Sequence, residues 1–250
     1  VTGVQTCALP ISTVFADPCA QHVLGMMLAL GRQLLPSYRD QLGERPWHYE
    51  QRRYDSRLLT GQTVLLLGFG AIGQDIAKRA RAFGARVVGV RRSAGTHEHA
   101  DTMISDWRKG LPDADVVVLS LPLTPATKNM ADASAFAAMK PGSIFVNVAR
   151  GGLVNEPDLL AALDKGAPGH AVLDVFVQEP LPADSPFWTH PNVMVSPHDS
   201  PSTEGYARRA DIAAGKLVLR KRGLFRALTP RGALTHHHTF TAALDAIKGA

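Results

Sequence analysis

Thr63-Val64-Leu65-Leu66-Leu67-Gly68-Phe69-Gly70-Ala71-Ile72-Gly73 decides how this chain is read. A short apolar run passes directly into Gly-x-Gly-x-x-Gly, and an amphipathic stretch, Gln74 to Phe83, comes immediately after it. That order is strand, tight turn, helix, the context in which the glycine triplet signifies more than a turn. Gly68 permits the turn, Gly70 lets a pyrophosphate approach the backbone, and Gly73 lets the helix lie close to the strand. The unpaired N–H groups and positive dipole end of the helix then face the phosphates. A purely structural turn is the competing reading. The strand before the triplet and the helix after it favour dinucleotide binding.

The next strand bears on which dinucleotide. Arg86-Val87-Val88-Gly89-Val90 ends at Arg91-Arg92-Ser93. Sites that prefer NAD carry Asp or Glu about 20 residues past the glycines, to hold the ribose 2′-hydroxyl. Arg91 stands at that place, and a guanidinium would pair with a 2′-phosphate instead. Arg91 and Arg92 are therefore candidate cofactor residues, with NADP favoured over NAD. The competing reading is a solvated arginine pair at a strand end.

The 250 residues allow one large or two modest domains, and an apolar fraction of 45% supports a substantial core. No run is long and apolar enough for a membrane span. Cys7 and Cys19 are too few for a disulfide framework, which fits a reducing cytoplasm. The net charge of +5 misleads: residues 206–250 hold nine Lys/Arg against two Asp/Glu, a net of +7, so the remainder is near −2. Neither a nucleic-acid nor a membrane partner is implied by the core. Val1 to Ile11 has no periodicity that leads into the helix beyond it. It resembles the translation of a sequencing adapter, so it is set aside from fold reasoning.

Taken in order, Asp17 to Leu30 reads as a helix with Asp17-Pro18 at its start. Residues 31–60 read as a polar connecting arm. After the second strand, residues 94–110 read as a polar loop or short helix, with His97 and His99 solvated and no metal site. Asp115 to Leu119 is a strand buried on both faces. Ala133 to Met139 is a short helix, Ser143 to Val148 a strand and Asn155 to Leu163 a helix with Asn155 as N-cap. His170 to Val175 and Asn192 to Ser196 complete six strands. This alternation predicts an α/β fold, a doubly wound parallel sheet. The expected divisions are 1–11 foreign, 12–60 helix and arm, 61–200 dinucleotide-binding domain and 201–250 a basic tail.

Three polar side chains come after late strands, at the edge where such sheets bind ligands. They are Arg150, Glu179 and His198. Singly, each reads as a surface charge, a turn residue or a loop histidine. Together they can grip a carboxylate, fix an imidazole and deliver a proton near neutral pH.

The stretches His22 to Leu28, Leu67 to Gln74, Asn147 to Val154, Leu173 to Pro182 and Pro191 to His198 resemble the D-isomer-specific 2-hydroxyacid dehydrogenases, the family of glyoxylate/hydroxypyruvate reductases. The resemblance runs from about residue 17 to about 205. It implies a Rossmann NAD(P)-binding domain and reduction of a small 2-keto acid. Arg150 would hold the substrate carboxylate and carbonyl, His198 would protonate the carbonyl oxygen, and Glu179 would pair with His198. Gly68, Gly70, Ala71, Ile72 and Gly73 would meet the pyrophosphate, with Leu121, Thr127 and Val148 lining the cofactor and Asp174 beside the nicotinamide carboxamide.

A homodimer through residues 17–60 is expected from the family. So is a substrate domain built mainly from an N-terminal part that this sequence lacks, which predicts that the chain alone binds cofactor but turns over poorly or not at all. The ending departs from the family from about Asp211, as a frame shift or divergence would produce, and Asp199-Ser200-Pro201 after His198 is a smaller departure. A cofactor-sensing corepressor scaffold is the alternative reading, since such proteins keep the same residues.

Overall fold

A computed structural model of the chain describes residues 11–93 and 95–201. The expectations for Val1 to Pro10 and for the tail from Ser202 onward lie outside the described residues.

Seven parallel strands form one sheet in the order β3-β2-β1-β4-β5-β6-β7. They are β1 (Thr63–Leu67), β2 (Arg86–Val90), β3 (Thr102–Ile104), β4 (Val116–Leu119), β5 (Ile144–Asn147), β6 (His170–Leu173) and β7 (Val193–Val195). β1, β4 and β5 are nearly unbroken Val, Leu, Ile and Phe because both their faces are covered. Alternate residues divide between two cores. Leu65, Leu67, Val117, Leu119 and Phe145 join one core with Phe136, Leu159 and Leu163. Val64, Leu66, Val116, Val118 and Val146 join the other with Val23, Met27, Ile76 and Ala80.

The helices that supply those layers are α1 (Ile11–Gly31) and α4 (Ala71–Ala82) on one face, and α5 (Ala133–Ala137) and α6 (Glu156–Asp164) on the other. Asn155 caps α6 as expected, its side chain accepting from Asp158 N at 3.3 Å, and Asp132 caps α5. From β1 the chain winds outward to β3, then returns to β4 on the other side of β1. The reversal places the carboxyl ends of β1 and β4 side by side, the crevice where open sheets of this kind take ligands.

The structure departs from the sequence reading in four places. Helix α1 begins at Ile11, not Asp17, and Pro18 lies inside it. Asp17 does not cap; its carboxylate bonds Gln21 Nε2 at 2.9 Å and pairs with Arg79 of α4, and the buried face of α1 already includes Ala16. Packing on α4 outweighs the one hydrogen bond that Pro18 forfeits. Residues 31–60 are not a plain arm: they hold α2 (Leu34–Leu42) and α3 (Tyr49–Asp55), neither with a buried residue. Residues 94–110 contain the seventh strand, β3, a three-residue edge strand beside β2. Helix α4 starts at Ala71, three residues earlier than the amphipathic stretch suggested.

Candidate active site

Gly68 ends β1 with φ +98°, a left-handed conformation, and a Cβ there would lie 2.6 Å from Ser120 O across the crevice. Ser120 Oγ donates to Gly68 O at 2.8 Å, tying the loop after β1 to the end of β4. A Cβ on Gly73 would lie 2.2 Å from Gly68 O, so α4 can approach β1 only through a glycine. Gly70 differs. It is the N-cap of α4, and a Cβ there would meet nothing within 4 Å. No contact among the described residues calls for glycine at that position, whereas close approach of a phosphate to the backbone does. Ala71, Ile72 and Gly73 form the first turn of α4, whose N–H groups have no partners within the helix. The loop therefore fits a dinucleotide pyrophosphate.

Leu121 succeeds Ser120 along the rim, and Val148 is buried just past β5. Thr127 serves its own turn: its hydroxyl bonds Thr124 N at 2.8 Å and Pro122 O at 2.9 Å. Arg91 and Arg92 stand exposed beyond β2, and neither pairs with a carboxylate among the described residues. Arg91 Nε donates to Ser93 Oγ at 3.2 Å, and the guanidinium's remaining donors are not engaged in any described bond. Two cations and a hydroxyl one strand away from the glycine loop suit a phosphate ester.

Arg150, Glu179 and His198 leave β5, the loop after β6, and the loop after β7, at one edge of the sheet. Arg150 is placed by buried Asn147, whose Nδ2 donates to Arg150 O at 3.0 Å and whose Oδ1 accepts from Ala149 N at 3.1 Å. Arg150 Nη1 donates to Ala149 O at 2.6 Å. Gly151 then lets two loops touch, since a Cβ on it would lie 1.9 Å from Phe176 C. That contact draws the Arg150 turn toward the loop carrying Glu179.

His198 Nδ1 lies 2.8 Å from Glu179 Oε2. A carboxylate only accepts, so Nδ1 donates and Nε2 is left for another partner. Glu179 Oε1 accepts from Phe176 N at 2.9 Å. Burial pushes the Glu179 carboxyl up, but the bonds from His198 and Phe176, with the charges of His198 and Arg150, together hold it below its ordinary value. Glu179 thus lies within electrostatic reach of both His198 and Arg150. His198 sits at φ 54°, a left-handed conformation that costs a non-glycine residue about 1 kcal/mol and needs holding.

Asp174 is placed differently from the other expected cofactor residues. It lies just past β6, and its side chain has 0% exposure. Oδ1 accepts from Ser196 Oγ at 2.6 Å and Asp199 N at 3.1 Å, and Oδ2 from Ser200 N at 3.3 Å. His22 of α1 reaches the same place, Nε2 to Ser196 Oγ at 3.1 Å. Burial pushes the Cys19 thiol up, against the weaker downward pull of its bond to Ser200, and Cys19 Sγ–H donates to Ser200 Oγ at 3.7 Å. Sequence reasoning missed the parts played by Asn147, Gly151, Ser120, Ser196 and His22. A polar residue closing the apolar strand β5 was the one visible signal, for Asn147.

The model of the D-isomer specific 2-hydroxyacid dehydrogenase NAD binding domain matches residues 24–200. The chain is 37% identical over 207 residues to D-3-phosphoglycerate dehydrogenase of Methanocaldococcus jannaschii, covering 80% of this chain and 37% of that protein. It is 38% identical over 188 residues to glycerate dehydrogenase of Methylorubrum extorquens, covering 71% of this chain and 56% of that protein. It therefore spans only part of the length of these relatives. Among solved structures, an NADPH-dependent glyoxylate/hydroxypyruvate reductase from Sinorhizobium meliloti superposes with a TM-score of 0.69 at 32% identity, over 78% of this chain and 98% of that one. A D-isomer specific 2-hydroxyacid dehydrogenase from Xanthobacter autotrophicus, solved with NADPH and MES, gives 0.70 at 32% identity, over 82% and 84%. With a parallel sheet, a glycine loop at its reversal and an Arg, Glu and His at one edge, the chain belongs to the D-isomer specific 2-hydroxyacid dehydrogenase family.

Proposed function

We propose that this chain reduces a small 2-keto acid of the glyoxylate/hydroxypyruvate type, with NADPH preferred over NADH, and that it works as a homodimer. The observation that carries the reaction is the Glu179–His198 pair at 2.8 Å, within electrostatic reach of Arg150. A bound reduced nicotinamide supplies the hydride. Arg150 grips the substrate carboxylate with two parallel N–H groups and orients the carbonyl. Charge grows on the carbonyl oxygen as the bond order falls, and His198 Nε2 gives that oxygen a proton. Glu179 keeps Nδ1–H engaged, so the ring is held in one orientation with Nε2 turned to the substrate side.

NADPH is supported by Arg91, Arg92 and Ser93 at the end of β2, where no acidic residue stands. Two of the solved relatives are named with NADPH, which supports the same reading. A second copy is supported by the stripe Leu34, Tyr38 and Leu42 on α2, 56%, 56% and 67% exposed, and by Trp47 at 91%. Their i, i+4, i+8 spacing makes one apolar face, turned away from this chain's own cores. Among the described residues no helix is long and apolar enough to cross a membrane.

The test is NADPH oxidation by glyoxylate at high protein concentration, which registers even slow hydride transfer. Oxidation is expected with the unmodified chain, falling by about a hundredfold or more in His198→Gln and Arg150→Gln with NADPH binding retained. Oxidation that neither substitution slows overturns the assignment, as does a folded chain that binds neither NADPH nor NADH.

A further inference from the structure

His198 stands in a turn that is held from outside by groups two residues before it, one after it and two after it. Asp174 accepts from all three: Ser196 Oγ, Asp199 N and Ser200 N. Helix α1 grips the same turn with two side chains three residues apart, which share a helix face. Cys19 bonds Ser200 and His22 bonds Ser196. The groups present fix the proton directions. A carboxylate only accepts, so Ser196 donates its one proton to Asp174 and its oxygen accepts from His22 Nε2–H. That nitrogen then has no lone pair for a metal, although His22, Asp174 and Asp199 bring ligand atoms within 4.8 Å of one another. The hydrogen-bonded set closes without an ion.

We propose that His22, Ser196 and Asp174 are positioning residues, a relay from α1 that clamps the backbone turn carrying His198. The inference rests on the reading of His198 as proton donor. This task of Asp174 stands beside the nicotinamide contact that family resemblance implies. The Asp174 side chain has no exposed surface; the hydrogen bonds it accepts come from the turn, and His22 Nε2 of α1 stands 3.6 Å from its Oδ1. His198 is thus held twice: Glu179 fixes the ring, and Asp174 fixes the left-handed backbone beneath it.

The experiment tracks the His198 Nδ1–H proton by NMR in the full chain, assigned among the ten histidines by its loss in His198→Gln. Ser196→Ala and His22→Leu are expected to speed exchange of that proton with water about tenfold or more, because a turn freed at Ser196 opens more often. His22→Gln, whose side-chain amide can still donate to Ser196, is expected to restore slow exchange. Melting curves confirm that each variant is folded, and should Ser196→Ala not fold, the two His22 variants decide. NADPH affinity is expected to stay unchanged throughout. Slow exchange retained in the folded variants overturns the relay. So does loss of NADPH affinity with exchange unchanged, which makes the set a cofactor contact. A chain that binds no NADPH defeats the dehydrogenase reading, while the exchange rates still decide the relay.

Discussion

Replacing Gly73 and Gly70 by alanine, one at a time, separates what the glycine loop does for the fold from what it does for a ligand. On Gly73 the new methyl would lie 2.2 Å from Gly68 O, where ordinary contact begins at 3.4 Å. Helix α4 must then retreat from β1 by about 1.2 Å or the Gly68 turn must deform. α4 carries Ile76, Ala77 and Ala80, all at 0% exposure, so retreat disturbs a packed layer. Overpacking of this kind costs about 1–3 kcal/mol, and the better helix propensity of alanine returns less than about 1 kcal/mol near a helix start. A net loss of about 2 kcal/mol lowers the melting temperature by about 4–8 °C in a chain of this size. On Gly70 the methyl meets nothing within 4 Å and the backbone, at φ −82°, accepts it. The stability cost is that of a poorer N-cap, about 0.5–1 kcal/mol. NADPH affinity, however, should fall by about tenfold or more, because the methyl occupies the phosphate's approach. Thermal melts and calorimetric titration read both variants. A Gly70→Ala chain that binds NADPH as tightly as the unmodified chain refutes the reasoning, as does a Gly73→Ala chain of unchanged stability.

Three further outcomes are expected. The Glu179 carboxyl is held below its ordinary value, so its contribution to stability is present above the ordinary carboxylate range and is lost as pH falls through the lowered value. Glu179→Gln should therefore melt earlier than the unmodified chain at neutral pH, by about 1 kcal/mol or less after allowance for a side chain 36% exposed, and the difference should vanish in acid. Asn147→Ala leaves Arg150 O and Ala149 N without their buried partner and should cost about 2 kcal/mol in chemical denaturation. Trp47→Asp should leave melting almost unchanged, since Trp47 is 91% exposed, yet convert a sedimenting dimer to a monomer.

Most strands were legible because both their faces are buried, so apolar continuity marks them without help from neighbours. β3 escaped for the opposite reason: Thr102-Met103-Ile104 is short and lies at the sheet's edge, where burial makes no demand on sequence. The capping signal at Asp17-Pro18 misled because Asp17 has a stronger partner in Arg79, a contact made across 62 positions of the chain. In the site, Arg150, Glu179 and His198 could be picked out as ionisable groups placed after late strands. The clamp on His198 could not. Two of its three bonds to Asp174 come from backbone N–H groups, which every residue but proline carries, and its reach to α1 depends on packing between distant elements. Likewise the need for glycine at position 151 lies in the Phe176 backbone against it, a contact that sequence order does not reveal.

The most direct measurement is a calorimetric titration of the purified chain with NADPH and with NADH, repeated for Arg91→Asp. Charge-assisted hydrogen bonds from Arg91 to a 2′-phosphate are worth about 1.5–3 kcal/mol, which corresponds to a preference for NADPH of about ten- to a hundredfold. The account predicts that preference in the unmodified chain and its loss or reversal in Arg91→Asp, where a carboxylate would repel the phosphate and accept from the ribose hydroxyl. Tighter binding of NADH by the unmodified chain, or a preference that Arg91→Asp leaves untouched, would contradict it.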